Sequence, residues 1–532
     1  MDQPEKQPFD KLKASGRGEI VLQHPCKTAL VLGALAATGF QPLGLWPLTL
    51  LAVAGLVALV ARAPGWKQAA LIGWCFGVGH FSLGNNWIAT AFTYQVNMPA
   101  WLGWVAVVLL SLYLAVYPAL AALIAWRARQ TAAGLVLALA GGWIVSEWLR
   151  SWVFTGFAWN PLGVAALGGF DRPGLALLLP WLGTYALSGL VVLLAGCWWA
   201  AVTRRKRDPL ALALVLVPLA ALGLPQLAAP PEQLSAHRYT LVQPDIRQDV
   251  LNDPAWFNWQ FSRLAALSAG QGERLVLWPE SGVPDYLRDG YPERYYLDTY
   301  GADPRLARQR LAAAIGPGAL LLTGAVDLEI ARNRVVGARN VVTALDDTGT
   351  IRASYAKAHL VPYGEYLALR WLLAPLGVER LVPGRIDFWP GPGPRTLDLG
   401  SQGKAGIQIC YEIIFSGQVV DRANRPDFLF NPSNDGWFGA WGPPQHLAQA
   451  RLRAIEEGLP VLRSTTTGIS AVIDGHGVVR QHVPRLVPGR LDGQVPAALA
   501  PTLFSRLGNL LPLFWAIVLL AAGVVASRLR KG

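Results

Sequence analysis

Late in the chain a short apolar run, Gly-Ile-Gln-Ile, ends on Cys410, and Tyr411 and Glu412 follow at once. Arg-Leu-Val-Leu-Trp-Pro places Glu280 directly after another apolar run, and Lys357 stands in Ser-Tyr-Ala-Lys-Ala-His-Leu. A third run, Asp-Phe-Leu-Phe, finishes in Asn-Pro-Ser-Asn-Asp-Gly-Trp-Phe-Gly. Cysteine attacks as a thiolate, yet a free thiol with a pKa of about 8.5 is mostly protonated at neutral pH. A neighbouring carboxylate can take that proton. An ammonium can then stabilise the oxyanion formed as a carbonyl becomes tetrahedral. A glutamate, a lysine and a cysteine therefore suffice for acyl transfer through a thioester, without a histidine.

Taken singly, each residue has an ordinary reading. Free cysteine is more often buried packing than a nucleophile. Glu280 after a proline reads as a solvated loop carboxylate, Lys357 as a surface lysine, and His359, His446 and Asn340 as structural hydrogen-bonders. It is the combination that points to chemistry: polar residues gathered where buried strands finish, as at many α/β sites, although that rule is looser for mixed sheets.

The elements that must position them are short β-like runs separated by turns and helical stretches. Candidate strands are Tyr239–Val242, Arg274–Trp278, Ala319–Ala325, Asn340–Leu345, Ile351–Tyr355, Gly406–Cys410, Asp427–Asn431, Val461–Ser464 and Ser470–Ile473. Asp346-Asp347-Thr348-Gly349 is a hairpin turn by composition, and Leu447–Glu457 reads as a helix. Strands mixed with helices predict a layered α/β sandwich.

That block is flanked by very different sequence. Of 532 residues 53% are hydrophobic and only 15% charged, against roughly a quarter charged in a soluble domain. The deficit lies between Ala29 and about Leu227 and again after Gly508. Apolar runs near 28–40, 43–61, 68–92, 100–126, 131–150, 178–202, 209–225 and 508–527 are read as eight membrane spans. The stretch 29–61 also fits one hairpin kinked at Gln41-Pro42. No cleavable signal peptide is expected, because Lys6, Lys11 and Lys13 precede no short apolar stretch with a small-residue cleavage site.

The net charge of +12 does not predict a nucleic-acid partner, because the basic residues stand beside apolar runs. Lys11, Lys13, Arg17 and Lys27 precede the first span, and Arg62 and Lys67 separate the second and third. Arg127 and Arg129 follow the fourth, Arg204, Arg205, Lys206 and Arg207 the sixth, and Arg528, Arg530 and Lys531 the last. Every second loop is basic, which the positive-inside rule satisfies with both termini cytoplasmic and the globular block outside. The predicted organisation is a membrane domain at 1–227, an extracytoplasmic domain at 228–507, and a last helix with its tail at 508–532. Cys26, Cys75 and Cys197 fall in or beside spans, so Cys410 stands alone in the globular block. Neither a disulfide framework nor a zinc site is expected, and no metal or organic cofactor is implied.

The motifs are similar to those of a known family. Trp278-Pro-Glu280, Tyr355-Ala-Lys-Ala-His-Leu-Val-Pro-Tyr-Gly-Glu-Tyr366 and Ile409-Cys-Tyr-Glu412 resemble the nitrilase superfamily. With the flanking spans, the closer resemblance is to its membrane branch, the bacterial apolipoprotein N-acyltransferases. Glu147-Trp-Leu-Arg150, Thr155-Gly-Phe-Ala-Trp159, Asn431-Pro-Ser-Asn-Asp-Gly-Trp437 and Arg463-Ser-Thr-Thr-Thr-Gly-Ile-Ser470 match as well, so the resemblance spans nearly the whole chain.

It implies an αββα sandwich inserted before the last of eight helices, with Glu280 as general base, Lys357 as oxyanion stabiliser and Cys410 as nucleophile. Glu365 and Glu412 resemble further active-site glutamates, and Asn340 and Tyr411 supporting residues. The implied donor is a phospholipid, chiefly phosphatidylethanolamine. The implied acceptor is the α-amine of a diacylglyceryl-cysteine at the N-terminus of an apolipoprotein, with ping-pong kinetics. The implied location is a bacterial inner membrane with the catalytic domain periplasmic. A functional tryptophan usual in the family finds both Trp256 and Trp259 here and is left unassigned.

Three expectations are the sequence's own. Glu147 and Arg150, three apart at the end of a span, are lipid-headgroup candidates, with a local salt bridge as the other reading. Pro284–Tyr300 and Tyr366–Leu376, rich in Tyr, Leu and Trp, are arms for the membrane interface or else ordinary loops. Two rival functions remain: a tethered amidase with water as acceptor, and a non-enzymatic transporter or scaffold, against which stand the lack of an internal repeat and of charged partners for Asn85 and Asn86.

Overall fold

In the 228–507 block the strands recur every few residues because β-branched and aromatic residues alternate with turn formers, and they close into two six-stranded sheets. A computed structural model describes residues 24–94, 99–204, 209–223, 231–373, 375 and 386–528. Lys6, Lys11, Lys13, Arg17, Arg205, Lys206, Arg207, Arg530 and Lys531, and the boundary at 227/228, lie outside the described residues.

The first sheet runs β12 (Gly489–Pro496), β1 (Leu234–Gln243), β2 (Arg274–Leu277), β3 (Ala319–Ala331), β4 (Arg334–Asp346), β5 (Ile351–Ala356). The second runs β11 (Val479–Val483), β10 (Ser470–Ile473), β9 (Val461–Thr465), β8 (Phe428–Ser433), β7 (Lys404–Ile407), β6 (Thr396–Asp398). In each, three parallel strands form the centre, β1–β2–β3 and β7–β8–β9, and antiparallel strands close the edges. Helices Phe257–Ser268 and Pro304–Ile315 cover the first sheet through a core of Leu264, Leu311, Ile315, Val276, Leu321 and Leu345.

The two sheets are joined at the end of β1. Gln243, wholly buried, takes hydrogen bonds on its Oε1 from Thr465 Oγ1 at 3.0 Å and Ser470 N at 2.9 Å. Ser464 Oγ donates to Val242 O at 2.7 Å. A satisfied polar staple of this kind fixes register in a core that apolar contacts alone specify less sharply. The αββα sandwich expected from the motifs is therefore present.

The apolar part is helical: Pro25–Ala37, Trp46–Arg62, Trp66–Gly84, Trp101–Arg127 (bent near Ala115), Ala132–Arg150, Thr184–Val202, Pro209–Gly223 and Leu510–Arg528. Among the described residues, Trp101–Arg127, Ala132–Arg150, Thr184–Val202 and Leu510–Arg528 are long and apolar enough to cross a membrane. The expected span 68–92 differs, since its helix stops at Gly84, before Asn85 and Asn86. The chain divides into two compact units, and Trp87–Gly103 belongs with 229–506 rather than with the apolar helices. In that unit Trp87 meets Phe438 edge-on at 4.8 Å, and Tyr94 meets Trp437 at 5.7 Å.

Glu147 and Arg150 are buried inside the helical unit, 5% and 2% exposed. Glu147 Oε1 accepts from Trp143 Nε1 at 2.9 Å and Leu162 N at 2.7 Å, while Arg150 Nη1 donates to Phe157 O and Trp159 O, both at 2.8 Å. This geometry favours a brace for the 151–162 loop over a headgroup contact. Arg150→Ala should accordingly lower the unfolding midpoint in detergent, since two buried carbonyls lose their donor at about 1–3 kcal/mol each. Unchanged stability with weakened phospholipid use would restore the headgroup role.

Candidate active site

Three strand ends and one hairpin bring the predicted residues together. Cys410 starts a tight turn, Cys410–Ile414, just beyond β7, with φ at 52°. Such a conformation costs a non-glycine residue about 1–3 kcal/mol and persists only where its surroundings hold it. Here the carbonyl of Cys410 is held by His446 Nε2 at 3.0 Å and Asn431 Nδ2 at 3.4 Å. The turn places the sulfur 3.3 Å from Ser433 Oγ and within the electrostatic reach of Glu280 and Lys357.

Glu280 leaves β2 through a turn with Ser281 at φ 56°. The turn lies so close over β3 that a Cβ on Gly324 would stand 2.7 Å from Glu280 Cα, which is why glycine occupies that place. Glu280 Oε1 accepts from Asn340 Nδ2 at 2.8 Å and faces Lys357 Nζ at 3.5 Å; Oε2 accepts from Asn434 N at 2.8 Å. Lys357, 1% exposed, follows β5 and donates to Glu365 Oε1 at 3.0 Å. Asn340 donates to Glu365 Oε1 as well, at 2.9 Å, and Val361 N donates to Glu365 Oε2 at 2.7 Å. One ammonium and one amide thus hold two carboxylates side by side.

Burial alone would lower the Lys357 pKa, but the carboxylates of Glu365 and Glu280 outweigh it and keep the ammonium charged beyond the usual lysine range. Burial, and then the charge of Glu280, push the Cys410 thiol above its ordinary value, although Lys357 and Ser433 pull it down. Cys410 at rest is therefore a thiol.

Glu412, two residues after Cys410, is enclosed by hydrogen-bond donors. Its Oε1 accepts from Tyr355 Oη at 2.8 Å, Ala358 N at 2.7 Å and His359 N at 3.1 Å, and its Oε2 from Ile409 N at 2.8 Å. It ties the loop carrying Lys357 to the turn carrying Cys410. Burial lifts its pKa to about 7 against the pull of those donors and of Lys357. Tyr411 is buried with its ring edge-on to Phe415 at 5.2 Å.

Behind the sulfur lies a layer whose members the sequence names only as motif residues, or for His446 as a structural hydrogen-bonder, without bringing them together. Ser433 ends β8 and Asn434 and Asp435 follow it, His446 lies on the helix Gly442–Glu457, and Arg463 on β9; all are buried. Arg463 Nη2 reaches both oxygens of Asp435, at 2.8 and 2.7 Å, and Nη1 donates to Asn431 Oδ1. Burial opposes charge on Asp435, but Arg463 outweighs it and holds the carboxyl below the usual range. Burial keeps His446 neutral. Its Nε2 donates to the Cys410 carbonyl at 3.0 Å, while its Nδ1 lies 3.0 Å from Arg463 Nη2 and 3.1 Å from Asp435 Oδ1. The available signal was the two polar motifs at 431–437 and 463–470.

Other expectations land elsewhere. Trp256 and Trp259 are half-exposed and pair edge-on at 5.6 Å. The segment 284–300 is knitted in place: Tyr296 Oη donates to Arg288 O at 2.6 Å, Asp285 Oδ1 accepts from Tyr300 N at 2.7 Å, and Leu287 is in the core. That is an ordinary loop rather than an arm. In Tyr366–Leu376, whose residues 374 and 376 lie outside the described ones, Trp371 is 76% exposed. Among the described residues no group of three or more His, Cys, Asp or Glu is placed to hold a metal.

Two family models match the chain: the apolipoprotein N-acyltransferase N-terminal domain over residues 32–197 and the carbon-nitrogen hydrolase over 240–494. An apolipoprotein N-acyltransferase of Rhodopseudomonas palustris is 35% identical over 94% of each chain. One of Caulobacter vibrioides is 33% identical over 95% of this chain and 94% of its own. An amidase of Nesterenkonia sp. AN1 of known structure aligns with 51% of this chain and 94% of its own, at 18% identity and a TM-score of 0.35. With one model on the apolar helices, the other on the sandwich, and relatives matched along nearly the full length, the chain belongs to the apolipoprotein N-acyltransferase family of the carbon-nitrogen hydrolases.

Proposed function

We propose that this enzyme moves a fatty acyl group from a phospholipid, phosphatidylethanolamine in the first instance, to the α-amine of the diacylglyceryl-cysteine that begins an apolipoprotein. The observation that carries the reading is the buried cluster of Glu280, Lys357, Glu365 and Asn340 gathered with Cys410 at the strand ends. Glu280 takes the thiol proton, Sγ attacks the ester carbonyl, and Lys357 stabilises the tetrahedral oxyanion. The ester C–O bond breaks, the leaving lysophospholipid oxygen takes the proton from Glu280, and a thioester remains. In the second half the acceptor amine attacks the thioester and gives a proton to Glu280. The C–S bond breaks, and that proton returns to the sulfur.

The rest of the reading concerns place. The domains are taken as 1–227, 228–507 and 508–532, with eight spans, both termini cytoplasmic and the sandwich on the periplasmic side of a bacterial inner membrane. Supporting this are the apolar helices and the basic residues beside them, such as Arg62, Lys67, Arg127 and Arg129. Acyl donor and acceptor both carry chains whose exposure to water costs about 0.8 kcal/mol per methylene, so a site at a membrane surface suits them.

The test is peptide mass spectrometry of the protein mixed with phosphatidylethanolamine and no acceptor. A hydroxylamine-labile fatty-acyl mass on the Cys410 peptide, absent in Cys410→Ala, is expected, and it should be discharged by an amine-terminal lipopeptide. Discharge by water at the same rate would favour the amidase. A bare Cys410 in folded, lipid-bound protein would end the thioester mechanism.

A further inference from the structure

The mechanism leaves unused one buried hydroxyl that touches the reacting atom. Ser433, the last residue of β8, is wholly buried. Its Oγ lies 3.3 Å from Cys410 Sγ and 2.7 Å from Asp435 Oδ1. A hydroxyl has a single proton and cannot donate to both. While Cys410 is a thiol, the Asp435 carboxylate is the stronger acceptor, and the Ser433 proton points there. Once Sγ is an anion, the same hydroxyl finds a second charged acceptor within reach. Asp435 can release it, because Arg463 Nη2 holds both carboxylate oxygens, at 2.8 and 2.7 Å.

We propose that Ser433 is the hydrogen-bond donor to the Cys410 thiolate, turning from Asp435 to sulfur as Glu280 takes the thiol proton. The proposal rests on Cys410 as the nucleophile. The S–H proton passes to Glu280, while the Ser433 proton stays on its oxygen and only changes acceptor. The groups around the sulfur leave this role unfilled. Glu280 beyond β2 and Asp435 beyond β8 are carboxylates that raise the thiol pKa. Lys357 beyond β5 is committed to Glu365 and Glu280, Glu412 in the same turn accepts only from other donors, and His446 gives its hydrogen to the Cys410 carbonyl.

The thiolate occurs in both half-reactions, as attacker on the donor and as leaving group before the amine. Loss of Ser433 should therefore slow both alike and leave the KM of each substrate unchanged. A residue that grips one substrate would affect one half alone.

The test uses the full-length enzyme, following iodoacetamide labelling of the Cys410 peptide against pH, with single-turnover acylation and amine transfer. Ser433→Ala should move the labelling midpoint up by about one unit and slow each half-reaction roughly tenfold, the loss expected for a hydrogen bond to a charged group. Ser433→Thr, which keeps the hydroxyl, should behave as wild type. A folded Ser433→Ala whose labelling profile superposes on wild type, or which slows only one half-reaction, overturns the proposal. If Ser433→Ala does not fold, Ser433→Thr against Ser433→Val, equal in shape, isolates the hydroxyl by the same criteria. Wild-type protein that forms no acyl-enzyme at Cys410 removes the nucleophile itself and the donor with it, a result distinct from unchanged labelling.

Discussion

Lys357→Met should reduce acyl-enzyme formation by roughly a thousand-fold, at the upper end of what removal of one oxyanion donor costs, while the protein still folds. The ammonium is 1% exposed and lies 3.0 Å from Glu365 and 3.5 Å from Glu280. Without it, two carboxylates share the two N–H bonds of Asn340 with no cation between them. Like charges so placed do not both ionise, and one takes up a proton. That protonation spares the fold most of the penalty of an unpaired buried charge. It harms the chemistry twice, because the oxyanion has lost its stabiliser and Glu280 has lost capacity as a base.

Lys357→Arg should not rescue, since a planar guanidinium does not fit a space shaped for a compact ammonium. Acylation rates from quenched-flow mass spectrometry, beside unfolding midpoints, decide the matter. A Lys357→Met enzyme within tenfold of wild type would make Lys357 a counter-ion for Glu365 and nothing more.

The parts of this site that the sequence disclosed are those created by one local event: a buried strand ending on a functional group. Trp278-Pro-Glu280, Ile409-Cys410 and Ala356-Lys357 are each such an ending, and the buried strands β2 and β3 announce themselves by the apolar runs Leu275–Trp278 and Ala319–Leu322. The missed strands β6, β11 and β12 are edges; Val479–Val483 and Gly489–Pro496 are polar along much of their length because one side meets water. Strand β8 extends through Pro432 to Ser433 although proline argues for an earlier end. The layer of Ser433, Asp435, His446 and Arg463 is contact between segments far apart in sequence, and only folding brings it together. Trp87–Phe92 reads as the end of a span because hydropathy does not separate an aromatic ring packed on Phe438 from one facing lipid.

Glu412 has more hydrogen-bond partners than its place in the sequence suggests. Four donors converge on its carboxylate from both sides of the site: Tyr355 Oη, Ala358 N and His359 N from the Lys357 side, and Ile409 N from the Cys410 side. Glu412→Ala should lower stability by on the order of 4 kcal/mol, since each buried donor left unpaired costs about 1–3 kcal/mol and some will find water. For a domain of this size that is a drop in unfolding midpoint of about 10 °C.

The activity loss should exceed what unfolding explains. At a temperature where Glu412→Ala is still folded, acylation should remain at least roughly a hundred-fold slow, because an ångström of misplacement between base, cation and sulfur costs that much. Glu412→Asp, one methylene short, reaches donors on one side only and should fall between. A group acting on substrate would give another pattern, with full loss of rate and an unchanged midpoint. A variant that loses stability yet acylates normally when folded would leave Glu412 to the fold alone. The two measurements together separate a tie between the Lys357 loop and the Cys410 turn from either simpler role, and the four bonds argue for the tie.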